Sequence, residues 1–363
     1  MPKTIGIIGG GQLGQMMAIS AQYMGHKVIT LDPNPTCSAA KVSDAMIVAD
    51  YDDVAALEQL AQQADLLTYE FENVSAQALT TVQPSVAIPQ GLKLLTITQN
   101  RRLEKEFLQR IDIPIAPYQN ITSPSDLPTH VEKVQYLKTV MFGYDGHGEV
   151  VLRSDTDLTA AKAMAQEINC VLEDQVTFDR EISVIVAGNG QQYVTFPIAE
   201  NEHRHSILHR TIAPARIDST TAQTAKALAL KIAHVLQLAG TMCIEMFLRA
   251  DGTIYVNELA PRPHNSGHYT IEACDFSQFD LHIKGILGEP LSEPLLLRPA
   301  IMINVLGQHQ ASMAELRLAQ PSWHIHDYGK SEAKENRKMG HVTILTEEIA
   351  TTLATIKLSK IWD

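Results

Sequence analysis

Along the first hundred residues, short apolar runs alternate with stretches whose apolar positions recur every three to four residues. TIGIIGG (4–10) and HKVITLDP (26–33) predict buried strands, and QLGQMMAISAQYMG (12–25) predicts a helix between them. ADLLTYEF (64–71) and AIPQ (87–90) predict later edges of the same sheet, and the turn-rich QPSVAIPQG (83–91) closes the unit. Strands alternating with helices imply a parallel sheet covered on both faces. A helix over TQNRRLEKEFLQRI (98–111) follows and stops before Pro114. The rhythm then changes: a glycine-rich segment lies between strands, followed by a helix over DLTAAKAMAQEI (157–168) and several β-rich pieces. A long helix over TAQTAKALALKIAHVLQLAG (221–240) comes next, with Gly240 as its expected C-cap. From about residue 297 a β-rich tail runs from RPAIMINVLG to the terminal IKLSKIWD. The pattern is α/β throughout, with no internal repeat.

A chain of 363 residues is too long for one ordinary core, so two or three domains are expected. Its 45% hydrophobic and 19% charged residues are those of a globular enzyme. The net charge of −12 argues against nucleic acid as a partner, because phosphate backbones need a basic face. It leaves room for one small anion held by a local cluster. Cys37, Cys170, Cys243 and Cys274 show no C-x-x-C pair and no metal spacing, and read as reduced thiols. The N-terminus runs straight into a strand, and no apolar run approaches the roughly 20 residues of a membrane span. A cytoplasmic protein without a membrane partner is expected.

Gly9, Gly11 and Gly14 with Asp32 fit the dinucleotide fingerprint, so an NAD-dependent dehydrogenase is one reading. The motif alone is weak, and nothing further along the chain supplies a proton relay for a redox substrate. A second glycine loop, YLKTVMFGYDGHGEVV (136–151), joins two strands and carries Lys138 just before it. Gly143, Gly146 and Gly148 there can form a flap over nucleotide phosphates, with Lys138 adding charge. In LEDQVTFDREISVIV (172–186), the stretch Glu173 to Val176 can hold an adenine by its backbone and Glu181 can reach a ribose. Taken singly, both acids also read as solvated strand-edge residues. Glu245 and Glu258 lie on strands joined by the turn Arg249–Gly252, so antiparallel pairing would bring them together. Two such acids repel unless a cation such as Mg²⁺ neutralises them, with Asn257 and Asn265 as further oxygen donors. Arg262, His264, Asn265 and His268 crowd one loop. Lys330, Lys334, Arg337 and Lys338 form a local basic group, which reads as a phosphate clamp or as a solvated charged turn.

Taken together, GIIGGGQLGQM, TYEFENV, QNRRLEK, LKTVMFGYDGHGE, FDREISVIV, ILHRTIAPARI, VNELAPRPHNSGH and RKMGHVTIL resemble the ATP-grasp superfamily. Within it, RPHNSGH and RKMGH make the whole chain similar to the 5-(carboxyamino)imidazole ribonucleotide synthase family. The resemblance implies an ATP-grasp fold. An N-terminal Rossmann-like domain would cover 1–100, an ATP-grasp domain 101–295 with a lid at about 118–176, and a small C-terminal β-rich domain 296–363. It implies ATP- and bicarbonate-dependent carboxylation of 5-aminoimidazole ribonucleotide through carboxyphosphate, with Mg²⁺, in a homodimer. An ATP-binding role is implied for Arg101, Lys138, Gly143, Tyr144, Asp145, Gly146, His147, Gly148, Glu149, Glu173, Asp174, Gln175, Val176, Glu181, His203, Asn257 and Glu258. Glu245 and Glu258 would hold the metal. Tyr144, His147, Arg262, His264, Asn265, Lys330, Arg337 and Lys338 would surround the ribonucleotide, with Gln12 and Glu72 on the N-terminal face. Lys138, Tyr144, His147, Arg262, His264 and Asn265 are the expected catalytic set. In the flap, Phe142, His147 and Glu149 depart from the family's usual Gly, Lys or Arg, and Gln. A binding protein that keeps the fold without catalysis is a third reading, opposed by the intact Lys138, Glu245 and Glu258.

Overall fold

The computed structural model describes residues 1–141 and 148–362. At the N-terminus, β1 (Thr4–Ile8), β2 (Lys27–Leu31), β3 (Ala45–Ile47) and β4 (Leu66–Tyr69) form a parallel sheet in the order β3-β2-β1-β4. Its strands are apolar on both faces because helices cover each side, as parallel pairing requires. AIPQ contributes only an isolated bridge from Ala87 to Leu66.

The lid is a separate antiparallel sheet of β5 (Tyr118–Ile121), β6 (Gln135–Thr139), β7 (Glu149–Leu152) and β8 (Cys170–Asp174), ordered β5-β8-β6-β7. The helix Leu158–Glu167 packs Leu158, Ala161 and Ala165 against it. Below lies the large sheet: β9 (Arg180–Asn189), β10 (Tyr193–Thr195), β11 (Ala199–Arg204), β12 (Ile207–Ala213), β13 (Ala239–Leu248), β14 (Ile254–Ala260), β15 (Ala300–Leu306), β16 (His324–Asp327) and β17 (Lys338–Leu345). Its order is β14-β13-β9-β11-β12-β15-β17-β16, with β10 on β9. The C-terminal strands therefore continue the central sheet through β12–β15 pairing, and IKLSKIWD begins inside the helix Ile349–Leu358. Trp362 then anchors the end, its indole N–H donating to the Asn304 carbonyl at 2.9 Å.

Strand alternation divides β13 between two environments. Met242, Ile244, Met246 and Leu248 pack on the core that holds the helix Ser219–Leu236, while Cys243, Glu245 and Phe247 face the other way. That helix stops earlier than its apolar pattern predicts. Gln237, not Gly240, takes the left-handed cap position (φ 52°, ψ 47°). Gly240 lies inside β13 at φ 96°, where a side chain would strike the His282 ring and Ile286. No helix among the described residues is long and apolar enough to cross a membrane.

Candidate active site

The three sheets enclose a cavity of about 640 Å³. Its floor is the β13–β14 hairpin, closed at Arg249–Gly252 as the turn residues predict. Glu245 sits directly opposite Glu258, and the next register pair is Met246 with Val256. Asn257 is thus the extra residue of a β-bulge, which lets the consecutive Asn257 and Glu258 both reach the cavity where a regular strand would send them to opposite faces. Glu245 Oε1 lies 3.0 Å from His264 Nε2, and Glu258 Oε2 lies 3.5 Å from Arg101. Burial disfavours the charged Glu245, yet His264 and His203 hold its carboxyl down at about 2. Burial likewise works against the His264 imidazolium, which Cys243 and Glu245 nevertheless raise to about 10. Beside them, Glu181 accepts from His203.

The roof comes from the lid. Lys138 on β6 and Lys105 on the helix Arg101–Arg110 flank the Glu173 carboxylate, each at 3.2 Å. Two cations on one acid leave a net positive charge facing the cavity. Asn100 caps this helix by accepting from the Leu103 N–H, and the Arg101 N–H donates to the Val140 carbonyl, so the helix start is tied to the lid. Glu104, one turn on from Arg101, is raised to about 8, chiefly by burial and then by the charge of Glu258. In the hinge, the Asp174 and Gln175 N–H groups are taken by the carbonyls of Pro117 and Val134. Next to it, Phe178 stacks on Phe247 with ring centroids 4.7 Å apart. Asp174, Gln175, Val176, Gly148 and Glu149 also line the cavity.

The third wall joins two domains. Arg262 grips Glu72 with Nε at 2.7 Å and Nη2 at 3.2 Å, and Gln99 pins the Glu72 loop by donating to the Glu72 and Val74 carbonyls. Both side-chain polar atoms of Asn265 are buried without a partner. Gln12, His268 and Lys338 complete this wall. Lys330 and Arg337 do not line the cavity: Lys330 donates to the Lys338 carbonyl and Arg337 to the Glu332 carbonyl. Burial lowers Lys330 to about 8. Gly143, Tyr144, Asp145, Gly146 and His147 lie outside the described residues.

The opening glycines meet the protein itself. Gly11 and Gly14 each donate an N–H to the Glu70 carboxylate at 2.5 Å, and Gly10 donates to Asp32 at 2.7 Å. Glu70 thus fills the place where a dinucleotide pyrophosphate would receive those N–H groups, and Asp32 is further engaged by the Tyr51 hydroxyl at 2.7 Å. The dehydrogenase reading is corrected on this ground. Glu70 could not be singled out in TYEFENV, because Glu70 and Glu72 share one face of an extended segment. Lys105 and Glu104 were within reach of sequence reasoning, standing four and three residues after Arg101 on a helix. Phe178 carries no signal of its own.

Family models match three segments: a ribonucleotide synthetase preATP-grasp domain over residues 1–99, an ATP-grasp domain over 106–279, and a phosphoribosylaminoimidazole carboxylase C-terminal domain over 300–355. The N5-carboxyaminoimidazole ribonucleotide synthase of Staphylococcus saprophyticus is 46% identical over 355 residues, covering 96% of this chain and 95% of that protein. A crystal structure of an N5-carboxyaminoimidazole ribonucleotide synthetase as its ADP complex superposes with a TM-score of 0.96 at 46% identity, over 100% of this chain and 98% of that one. The Aspergillus clavatus N5-carboxyaminoimidazole synthase, solved with ADP and 5-aminoimidazole ribonucleotide, gives a TM-score of 0.91 at 31% identity over 100% of this chain and 99% of its own. With relatives of this identity matched along nearly its whole length, the chain belongs to the N5-carboxyaminoimidazole ribonucleotide synthase family of ATP-grasp proteins.

Proposed function

We propose that this chain uses ATP and bicarbonate to carboxylate the exocyclic amine of 5-aminoimidazole ribonucleotide, releasing ADP and phosphate. The observation that carries the reading is the Glu245–Glu258 pair, opposed across one hairpin beneath Lys138 and beside Arg262 and His264. The nucleotide enters between lid and floor, with its base near Phe178 and the hinge at Val176, and its ribose near Glu181 and His203. Lys138 and Arg101 meet its phosphates, each already steered by a carboxylate, Glu173 and Glu258.

Two opposed carboxylates and the unpartnered Asn265 amide make an oxygen-rich donor set that suits Mg²⁺. When bound there, the ion would neutralise the charge of the transferring phosphoryl group. Bicarbonate is a poor electrophile, so phosphorylation to carboxyphosphate supplies the leaving group that hydroxide cannot. Arg262, locked by Glu72, offers its remaining N–H groups to that anion, and His264 stands beside it with a proton to give. Lys338 lies on the wall suited to the ribonucleotide phosphate. The enzyme's contribution is positioning and electrostatics, without a covalent protein intermediate. We assign it to the cytoplasm as a homodimer, a state that light scattering would read.

The deciding experiment measures ADP release with bicarbonate and 5-aminoimidazole ribonucleotide supplied together and singly. Release that needs both is expected. No release with both, or release indifferent to the ribonucleotide, would overturn the reading.

A further inference from the structure

Strand alternation puts Cys243 two residues before Glu245 on the same face of β13, one layer deeper under the cavity floor. From the opposite side, His264 brings Nε2 to 3.0 Å from Glu245 Oε1. The Cys243 sulfur, a Glu245 oxygen and a His264 nitrogen all lie within 4.8 Å of one another. Ligand atoms on a tetrahedral zinc ion, at about 2.0–2.3 Å from the metal, stand roughly 3.3–3.8 Å apart, so the set closes when the 3.0 Å nitrogen–oxygen pair parts slightly and the sulfur approaches by about 1–1.5 Å at most. The imidazole turns Nε2 towards the other two donors, and its Nδ1 accepts the Ser266 N–H at 3.3 Å, a bond that a metal-bound ring would exchange for donation to the Ser266 hydroxyl. Its Nδ1 is within 2.9 Å of the Ser266 hydroxyl, which is itself paired with the Ser183 hydroxyl at 2.8 Å. The sulfur lies 3.8 Å from that same Ser266 hydroxyl. Glu245 and His264 keep 15% and 14% side-chain exposure, so an ion arriving from the cavity meets them first and the buried thiol beneath.

We propose that Cys243, Glu245 and His264 form a binding site for a thiophilic divalent cation of the zinc class, through which such ions inhibit the enzyme. One sulfur, one nitrogen and one oxygen donor make a set that zinc prefers and Mg²⁺ does not. On binding, the S–H bond breaks, sulfur donates its electron pair to the metal, and the thiol proton leaves to the buffer; no oxidant is involved. His264 Nε2 likewise gives its proton to solvent. The three protein ligands leave a fourth position open to the cavity. Occupation draws Glu245 away from Glu258 and immobilises His264, so it competes with nucleotide-bound Mg²⁺. The inhibitory consequence rests on the proposed carboxylation; the binding itself does not.

The test uses the full-length protein in millimolar Mg²⁺, titrated with zinc against a chelating dye. One zinc per chain is expected, bound about tenfold or more weakly by both Cys243→Ser and Cys243→Ala. Zinc inhibition of ADP release, taken relative to each protein's own zinc-free rate, should weaken by a similar factor in Cys243→Ser. A cobalt(II) derivative of the unmodified protein should show a near-ultraviolet sulfur-to-metal charge-transfer band, a readout that needs no variant. Absence of that band, or equal zinc affinity with and without the thiol, overturns the proposal. A cobalt band in a protein that releases no ADP would leave the metal site standing and sink the carboxylation reading instead.

Discussion

At the N-terminal switch point, the Glu70 carboxylate is held by the backbone N–H groups of Gly11 and Gly14 at the cavity edge; on the floor, among the described residues, Glu245 and Glu258 are met by side chains. Both regions bury acids beside a wall of polar groups. They differ in who supplies the counter-charge. A backbone amide cannot swing away, so the Glu70 pairing is permanent and the loop is spent on holding the domain together. His264, Arg101 and Lys138 can re-aim towards a phosphate or yield to a cation, so the floor pairing is exchangeable. A glycine fingerprint therefore announces N–H donors, not the identity of the anion that uses them.

The largest expected effect tests the exchangeable site. Glu258→Gln should lower turnover about a hundredfold to a thousandfold, the size seen when one preorganised charge-stabilising group is lost, while urea unfolding changes little. A variant of full activity would remove Glu258 from the chemistry. Next comes the N-terminal site: Glu70→Ala leaves one buried and one half-buried N–H group without its acceptor and should lower stability by about 1–3 kcal/mol in urea titration. Adding NADH should stabilise neither this variant nor the parent, and a thermal shift with NADH would restore the dinucleotide reading.

A smaller effect concerns Glu104, buried on the helix Arg101–Arg110 within reach of the Glu258 charge. Its folded value of about 8 lies above the ordinary 4.5, so in the unliganded protein folding takes up a proton between those values. Its contribution to stability is thus present at pH 4 and falls as pH rises to about 8. Glu104→Gln should unfold at the same temperature as the parent at pH 4 and at a higher one at pH 8; a constant difference would refute this. Smallest is the helix end. Gln237 is exposed in a left-handed conformation, and Gln237→Gly should add about 0.5–1 kcal/mol without touching activity.

Much of the site was legible because its signals are local. Glu245 and Glu258 flank a four-residue turn, and a hairpin with that turn has few registers available. Lys138 precedes a glycine-rich connection between strands that pair as expected. The basic group near the C-terminus was less legible, since only Lys338 reaches the wall while Lys330 and Arg337 turn to backbone carbonyls. Charge density along a chain does not say which side chains share a surface. The apolar period points to a cap at Gly240, but it cannot see that Gly240 is needed inside a strand, where His282 packs against it.

By itself, the sequence determined the order of strands and helices and the hairpin that opposes Glu245 to Glu258, since both depend on neighbours within a few tens of residues, and the family, through motifs spread from GIIGGGQLGQM to RKMGHVTIL. Only the tertiary structure decided that Glu70 fills the first glycine loop, that Glu72 locks Arg262 from another domain, and that Cys243 lies under His264. These pairings join residues 21 to 190 positions apart, and their partners are chosen by shape, charge and burial after the elements have packed.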